Sequence, residues 1–127
     1  MGKDIVGYWA NSSDDDFGTM EHLYKSRDYS WALFLGHLVI EKLLKAYYVK
    51  NIDKNIPFTH DLLRLAEKSS LDLTESQKDF LDMATTFNIN ARYDDYKMQF
   101  HKRCTKEFTA KSIKEIKEFR VWIKNLL

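Results

Sequence analysis

The chain reads as an all-α protein, an up-and-down antiparallel four-helix bundle with an additional short helix. Glycine and proline are scarce, four and one in 127 residues, which disfavours a turn-rich β fold. Apolar residues recur at helical three- and four-residue spacing over most of the chain. The stretch from Trp31 to about Lys50 runs unbroken and is long enough for a helix of ~30 Å.

The first helix is expected from Ile5 to about Ser26, with Val6, Trp9, Phe17, Met20 and Tyr24 on one side. The polar run from Asn11 to Asp16 interrupts it only in composition: Ser13 lies four residues from both Trp9 and Phe17, a small residue on the same stripe. The second helix starts after Asp28 or Ser30, either of which can accept the unpaired N–H groups of a first turn. Its first half is apolar on nearly all faces, the pattern of a helix covered on several sides. Asn51 to Thr59, with Pro57, is the clear connection. His60 to Ala66 reads as a short helix ending near Ser69 and Ser70. Thr74 opens the next, which runs to about Asn90 with Phe80, Leu81, Met83, Ala84 and Phe87 inward. Residues 91–108 mix polar and aromatic groups without a clean period. The last helix is expected from near Thr109, carrying Ile113, Ile116, Phe119 and Ile123.

Length and composition set the class. A chain of 127 residues makes one domain, 1–127, large enough to fold without a disulfide or metal. The single cysteine, Cys104, excludes a disulfide framework and a Cys-rich zinc site, and reads as a buried small hydrophobe. The longest apolar stretch, 31–40, is too short for a span of ~20 residues, and Met-Gly-Lys-Asp opens no signal-peptide core. No membrane contact and a cytoplasmic location are expected. The formal charge of +1 conceals an asymmetry: residues 1–96 hold 11 basic and 16 acidic groups, residues 97–127 hold 9 and 3. A basic section of this kind attracts phosphates or is simply a solvated face.

Gly36-His37-Leu38-Val39-Ile40-Glu41-Lys42-Leu43-Leu44-Lys45-Ala46 resembles the signature helix of the HEPN family, with its Glu-Lys-x-Leu-Lys-Ala core. Other elements follow in the family's order. Trp9 with Asp16 is similar to its first helix. Thr59-His60-Asp61-Leu62 with Leu65 is similar to its His-x-Leu-x-x-Leu helix. Ala91-Arg92-Tyr93-Asp94-Asp95 is similar to its Ala-Arg-Tyr-Pro-Asp element, with Asp94 in place of the proline. Trp122-Ile123 stands where members often end. The resemblance implies a helical bundle that dimerises, here a homodimer. It also implies a setting near nucleotides or RNA, beside a small nucleotidyltransferase partner or as a metal-independent ribonuclease toxin of a toxin–antitoxin pair. The ribonuclease branch carries Arg, four to six residues, then His. No pair here fits, Arg92 and His101 being separated by eight.

The residues admit a functional and a structural reading throughout. His37, Glu41 and Lys45 share one stripe of a helix, either a polar seam toward a cleft or an ordinary Glu–Lys helix pair. His60 either binds or packs at a helix entry. Asp14, Asp15 and Asp16 read as a solvated polar face. Arg92 and Tyr93, with Tyr96, Lys97, His101, Lys102 and Arg103, suit phosphate and base contacts or packing between helices. No histidine has a second ligand at metal spacing on its face, and no cofactor is expected. In an up-and-down bundle the marked elements converge at one end. Glu41, Lys45, His60, Arg92 and Tyr93 would form a polar cleft for a nucleotide or nucleic-acid phosphate, with Glu41 holding Arg92 or Lys45. The leading expectation is a non-catalytic binding or docking module. The alternatives are a ribonuclease in which His101 moves a proton and Arg92 stabilises the phosphate, or a purely structural dimer.

Overall fold

The computed structural model describes residues 4–127. Six helices follow in order: α1 (Ile5–Lys25), α2 (Tyr29–Asn51), α3 (Leu62–Lys68), α4 (Glu75–Arg92), α5 (Asp94–Arg103) and α6 (Lys106–Lys124). No helix among the described residues is long and apolar enough to cross a membrane.

The central helix is α2, which touches each of the other five. That placement is why its sequence is apolar on several faces: Ala32, Leu33, Val39, Ile40, Leu43, Leu44 and Ala46 are all buried. Gly36 lies where α2 meets α1 and α6. A Cβ there would press into the Ile116 Cδ1 methyl and crowd the Met20 sulfur. The opposite walls of the core come from Phe80, Leu81 and Phe87 of α4 and from Ile113, Ile116, Phe119 and Ile123 of α6.

The first helix is continuous through its polar run. Ser13 is fully buried on the stripe, and its hydroxyl donates to the Val39 carbonyl at 2.8 Å. Thr74 caps α4 in a reciprocal box, its Oγ1 accepting from Gln77 N while Gln77 Oε1 accepts from Thr74 N. Asp28 occupies the cap position of α2 but makes no side-chain bond there. Two helices end in the same motif. After α1, Asp28 N donates to Leu23 O and Arg27 N to Tyr24 O; after α3, Leu71 N donates to Ala66 O and Ser70 N to Glu67 O. Both are Schellman endings. Their left-handed positions are filled by Arg27 (φ 65°) and Ser70 (φ 59°), not by glycine.

Three expectations are corrected. Residues 94–103, which show no clean period, form the second short helix α5, anchored by the buried Phe100 ring against Phe87 at 5.8 Å. The last helix starts three residues before Thr109, because Thr105 caps it by accepting from Phe108 N. The aspartates of α1 are not merely solvated. Asp14 accepts from Lys124 Nζ at 2.8 Å and Arg120 Nη2 at 3.1 Å, and Asp16 pairs with Lys42 at 2.6 Å. Glu21 pairs with Lys117 at 3.4 Å, so part of the basic C-terminal section is matched to acidic α1.

Candidate functional site

The stripe of α2 that carries His37, Glu41 and Lys45 faces inward, and Glu41 is its centre. The Glu41 side chain is 6% exposed, with Lys45 Nζ at 3.1 Å from Oε2 and His37 Nε2 at 3.5 Å from Oε1. The third partner arrives from outside the helix: His60 Nδ1 lies 3.2 Å from Oε1. Burial opposes ionisation of Glu41, but Lys45, His37 and His60 outweigh it and hold its carboxyl below the ordinary glutamate range. An ionised carboxylate only accepts, so His60 carries its proton on Nδ1 and donates it. Lys45 completes the seam, its ammonium 4.7 Å from the Trp9 ring centre.

His37 is 1% exposed, and its ring stacks on Phe34. Burial drives its pKa down to about 4, the nearby Glu41 charge recovering only part of the loss. Neither ring nitrogen has a well-formed hydrogen bond, so His37 sits in the core as a neutral ring.

His60 precedes the cap of α3. Asp61 makes the cap, accepting from Arg64 N at 3.1 Å. The entry to α3 is held to α4 by Thr85, whose hydroxyl accepts from Leu62 N and donates to Leu81 O. Between these two walls lies a hollow of about 410 Å³, lined by His60 and Asp61 on one side and Asn88, Arg92 and Tyr93 on the other. Three of the five expected ligand-binding residues therefore line one hollow, and Glu41 stands behind His60. Lys45 is not among the lining residues, because its ammonium is turned to Glu41 and Trp9.

Arg92 is held by Asn88, not by Glu41: Nη1 donates to Asn88 Oδ1 at 3.1 Å. Asn88 is buried and one helical turn before Arg92, a spacing at which side chains meet. That spacing is the signal by which sequence reasoning could have found Asn88. Arg92 is itself exposed, with its guanidinium 6.0 Å from the Tyr93 ring centre and further N–H groups beyond the one given to Asn88.

His101 lies elsewhere. It lines a second hollow of about 360 Å³ with Trp31, Ala91, Lys97 and Met98. Arg92 and His101 thus line different hollows, and the structure does not bring them together. A smaller hollow between α4 and α6 has Glu115 and Glu118 in its lining, a setting that repels an anion. Cys104 is buried and its thiol is pushed up to about 11 by burial, which removes it as a nucleophile. Among the described residues no group of three or more His, Cys, Asp or Glu is placed to hold a metal ion.

The family model of the HEPN domain matches residues 6–126, nearly the whole chain. The chain belongs to the HEPN domain family. No curated protein and no solved structure matches it. The HEPN signature helix is α2, and the groove joins it through His60 to the element that contains Arg92 and Tyr93. Three of the five stretches that carry the resemblance, far apart in sequence, therefore meet around Glu41 and the hollow beside it.

Proposed function

We propose that this HEPN domain is a binding module that takes a phosphate-bearing nucleotide group in the groove between the α3 entry and the end of α4. One observation carries the reading: His60 and Arg92 line the same hollow, each held by a buried partner, Glu41 for the imidazole and Asn88 for the guanidinium. Side chains held in this way lose little further freedom when a ligand arrives. Arg92 supplies the planar fork that suits phosphate, and Tyr93 supplies a face for a base or sugar. Asp61 accepts the α3 cap bond with one carboxylate oxygen and keeps its negative charge at the rim, so the phosphate is placed toward Arg92 and away from Asp61. The missing Arg–His spacing and the separate hollows of Arg92 and His101 favour binding over cleavage.

The test is a titration of a labelled nucleoside triphosphate into the full chain and two variants at two salt concentrations. Arg92→Ala is expected to weaken binding by about tenfold, the effect of losing a charge-assisted hydrogen-bond pair. Lys114→Ala, at an exposed position on α6, is expected to leave it nearly unchanged. Equal losses in the two variants would mean diffuse attraction to a basic surface, because a non-specific electrostatic effect does not single out one arginine.

A further inference from the structure

The hollow between α4 and α6 lies apart from the Arg92 groove. It uses Ser76, Gln77 and Phe80 in the first turns of α4, whereas the groove uses Thr85, Asn88 and Arg92 toward the other end of that helix. Both helices pack on α2. They meet each other through rings: Phe80 and Phe119 are 5.5 Å apart between centres, and Phe119 meets Trp122 at 5.3 Å and 62°. These three rings line a hollow of about 160 Å³.

The rest of the α6 lining is two carboxylates. Glu115 lies four residues before Phe119 and Glu118 four before Trp122, so acids and rings share one stripe of the helix. Glu115 is half-buried and Glu118 exposed. Neither forms an ion pair or hydrogen bond among the described residues. Lys111 and Lys114 stand four residues before them, the weaker of the two orders for a helix pair, and leave them unpaired. The acids of α1 contrast with these, since Asp14, Asp16 and Glu21 each have a cation. Two like charges one turn apart on a helix repel, and a cation placed between them relieves the repulsion. The positive end of α4 does not stand unshielded against such a cation. Thr74 and Gln77 close the cap on each other, and Glu75 lies in the first turn.

We infer that the hollow between α4 and α6 is a binding site for a guanidinium group. Rings and carboxylates together select that cation: its flat face stacks on an aromatic ring while its N–H groups donate to carboxylate oxygens. A quaternary ammonium has no N–H to donate, and a lysine-type ammonium is a point charge without a flat face. The volume restricts the occupant to a head group, since a whole drug-sized ligand takes ~300 Å³ or more. The guanidinium belongs to a small guanidino compound or to an arginine side chain of a polypeptide, and the hollow recognises what the two share. This site has no residue in common with the Arg92 groove, so the phosphate reading stands or falls without it.

The experiment follows the amide and indole N–H signals of the ¹⁵N-labelled full chain. The probes are ethylguanidinium, a blocked pentapeptide with one arginine between glycines, the same peptide with citrulline, and tetramethylammonium. Both guanidinium probes are expected to shift Gln77, Glu115, Glu118 and the Trp122 indole. The citrulline peptide keeps the shape without the charge, and should bind at least about tenfold more weakly than the arginine peptide. Glu118→Gln, at an exposed position, should weaken both guanidinium probes by about threefold, and Glu115→Gln with Glu118→Gln by about tenfold. Arg92→Ala should leave them unmoved. Tighter binding of the peptide assigns the guanidinium to a polypeptide, and tighter or equal binding of ethylguanidinium to a small compound; either supports the inference. Absence of binding by both guanidinium probes overturns it. So does a citrulline peptide that binds as tightly as its arginine counterpart, or a double glutamine variant with unchanged affinity. Tetramethylammonium binding as tightly as ethylguanidinium would make the hollow a cage for any organic cation and would overturn it too. Shifts at the same residues on dilution of the unliganded chain would show that a second copy fills the hollow, and would also overturn it.

Discussion

Glu41 of α2 accepts a hydrogen bond from His60 at 3.2 Å, and that contact fastens the rim of the groove to the interior of the bundle. The two residues are 19 apart in sequence. Glu41 is buried and His60 is more than half exposed, so one carboxylate both neutralises the polar seam of α2 and orients an imidazole toward the surface.

Removing the charge of Glu41 leaves Lys45 half-buried without its counter-ion. Breaking a fully buried pair in this way costs about 3–5 kcal/mol. Here Lys45 is 20% and His60 57% exposed, so solvent screening reduces the loss, and Glu41→Gln is expected to lower stability by about 1–3 kcal/mol. Urea unfolding measures it. A loss under about 0.5 kcal/mol, the range of a surface change, would contradict the arrangement.

The pH dependence follows from His37. Its folded value is about 4, against an ordinary 6.5. Between these values the unfolded chain takes up a proton that the buried ring refuses, so stability falls as pH is lowered from 6.5 toward 4. Glu41 acts in the same direction but lower, since its depressed carboxyl begins to lose its contribution only below the ordinary glutamate value of 4.5. Thermal unfolding followed from pH 6.5 to 5 therefore isolates the histidine. The midpoint should fall in the wild-type chain and fall less in His37→Phe. Parallel slopes would mean that His37 is not the group responsible.

The left-handed ending of α3 offers a gain in stability. Ser70 holds φ 59°, a conformation that costs a side-chain-bearing residue about 1–2 kcal/mol. Part of that is offset by the extra freedom of glycine in the unfolded chain. Ser70→Gly is therefore expected to stabilise by about 0.5–1 kcal/mol, read as a shift of the urea midpoint at constant slope. Destabilisation would show that the serine makes an interaction beyond its backbone.

Incubation with mixed RNA should leave it intact. Arg92 and His101 line separate hollows, so no pair of these two is placed to move a proton and stabilise a phosphate together. Reproducible cleavage abolished by His101→Ala would contradict the binding-module reading.

The parts of this molecule that were legible in its sequence are those set by local spacing. The reciprocal cap of Thr74 and Gln77, the buried stripe of α2, the small Ser13 on the α1 stripe and the His37–Glu41–Lys45 seam all follow from three- and four-residue intervals. The seam's role as an anchor was not legible, because His60 reaches it from a separate element. Nor were the pairs of Asp14 with Arg120 and Lys124, which join residues 106 and 110 apart. No local rule connects the two ends of a chain. Helix α5 escaped for another reason. Its described side chains are mostly polar, and among them Phe100 alone is inward, so there is no repeating stripe to read. The groove combines both kinds of information: Arg92, Tyr93 and His60 were singled out by resemblance, Asn88 was readable from its four-residue spacing to Arg92, and Thr85, which joins the walls, emerges only from the packing.

The most direct test of the central claim is amide chemical-shift mapping of the ¹⁵N-labelled chain during titration with a nucleoside monophosphate. The account predicts shifts concentrated at His60, Asp61, Asn88, Arg92 and Tyr93, the residues around the first hollow. Shifts spread over the exposed lysines of α6, or confined to the Glu115–Glu118 hollow, would contradict it.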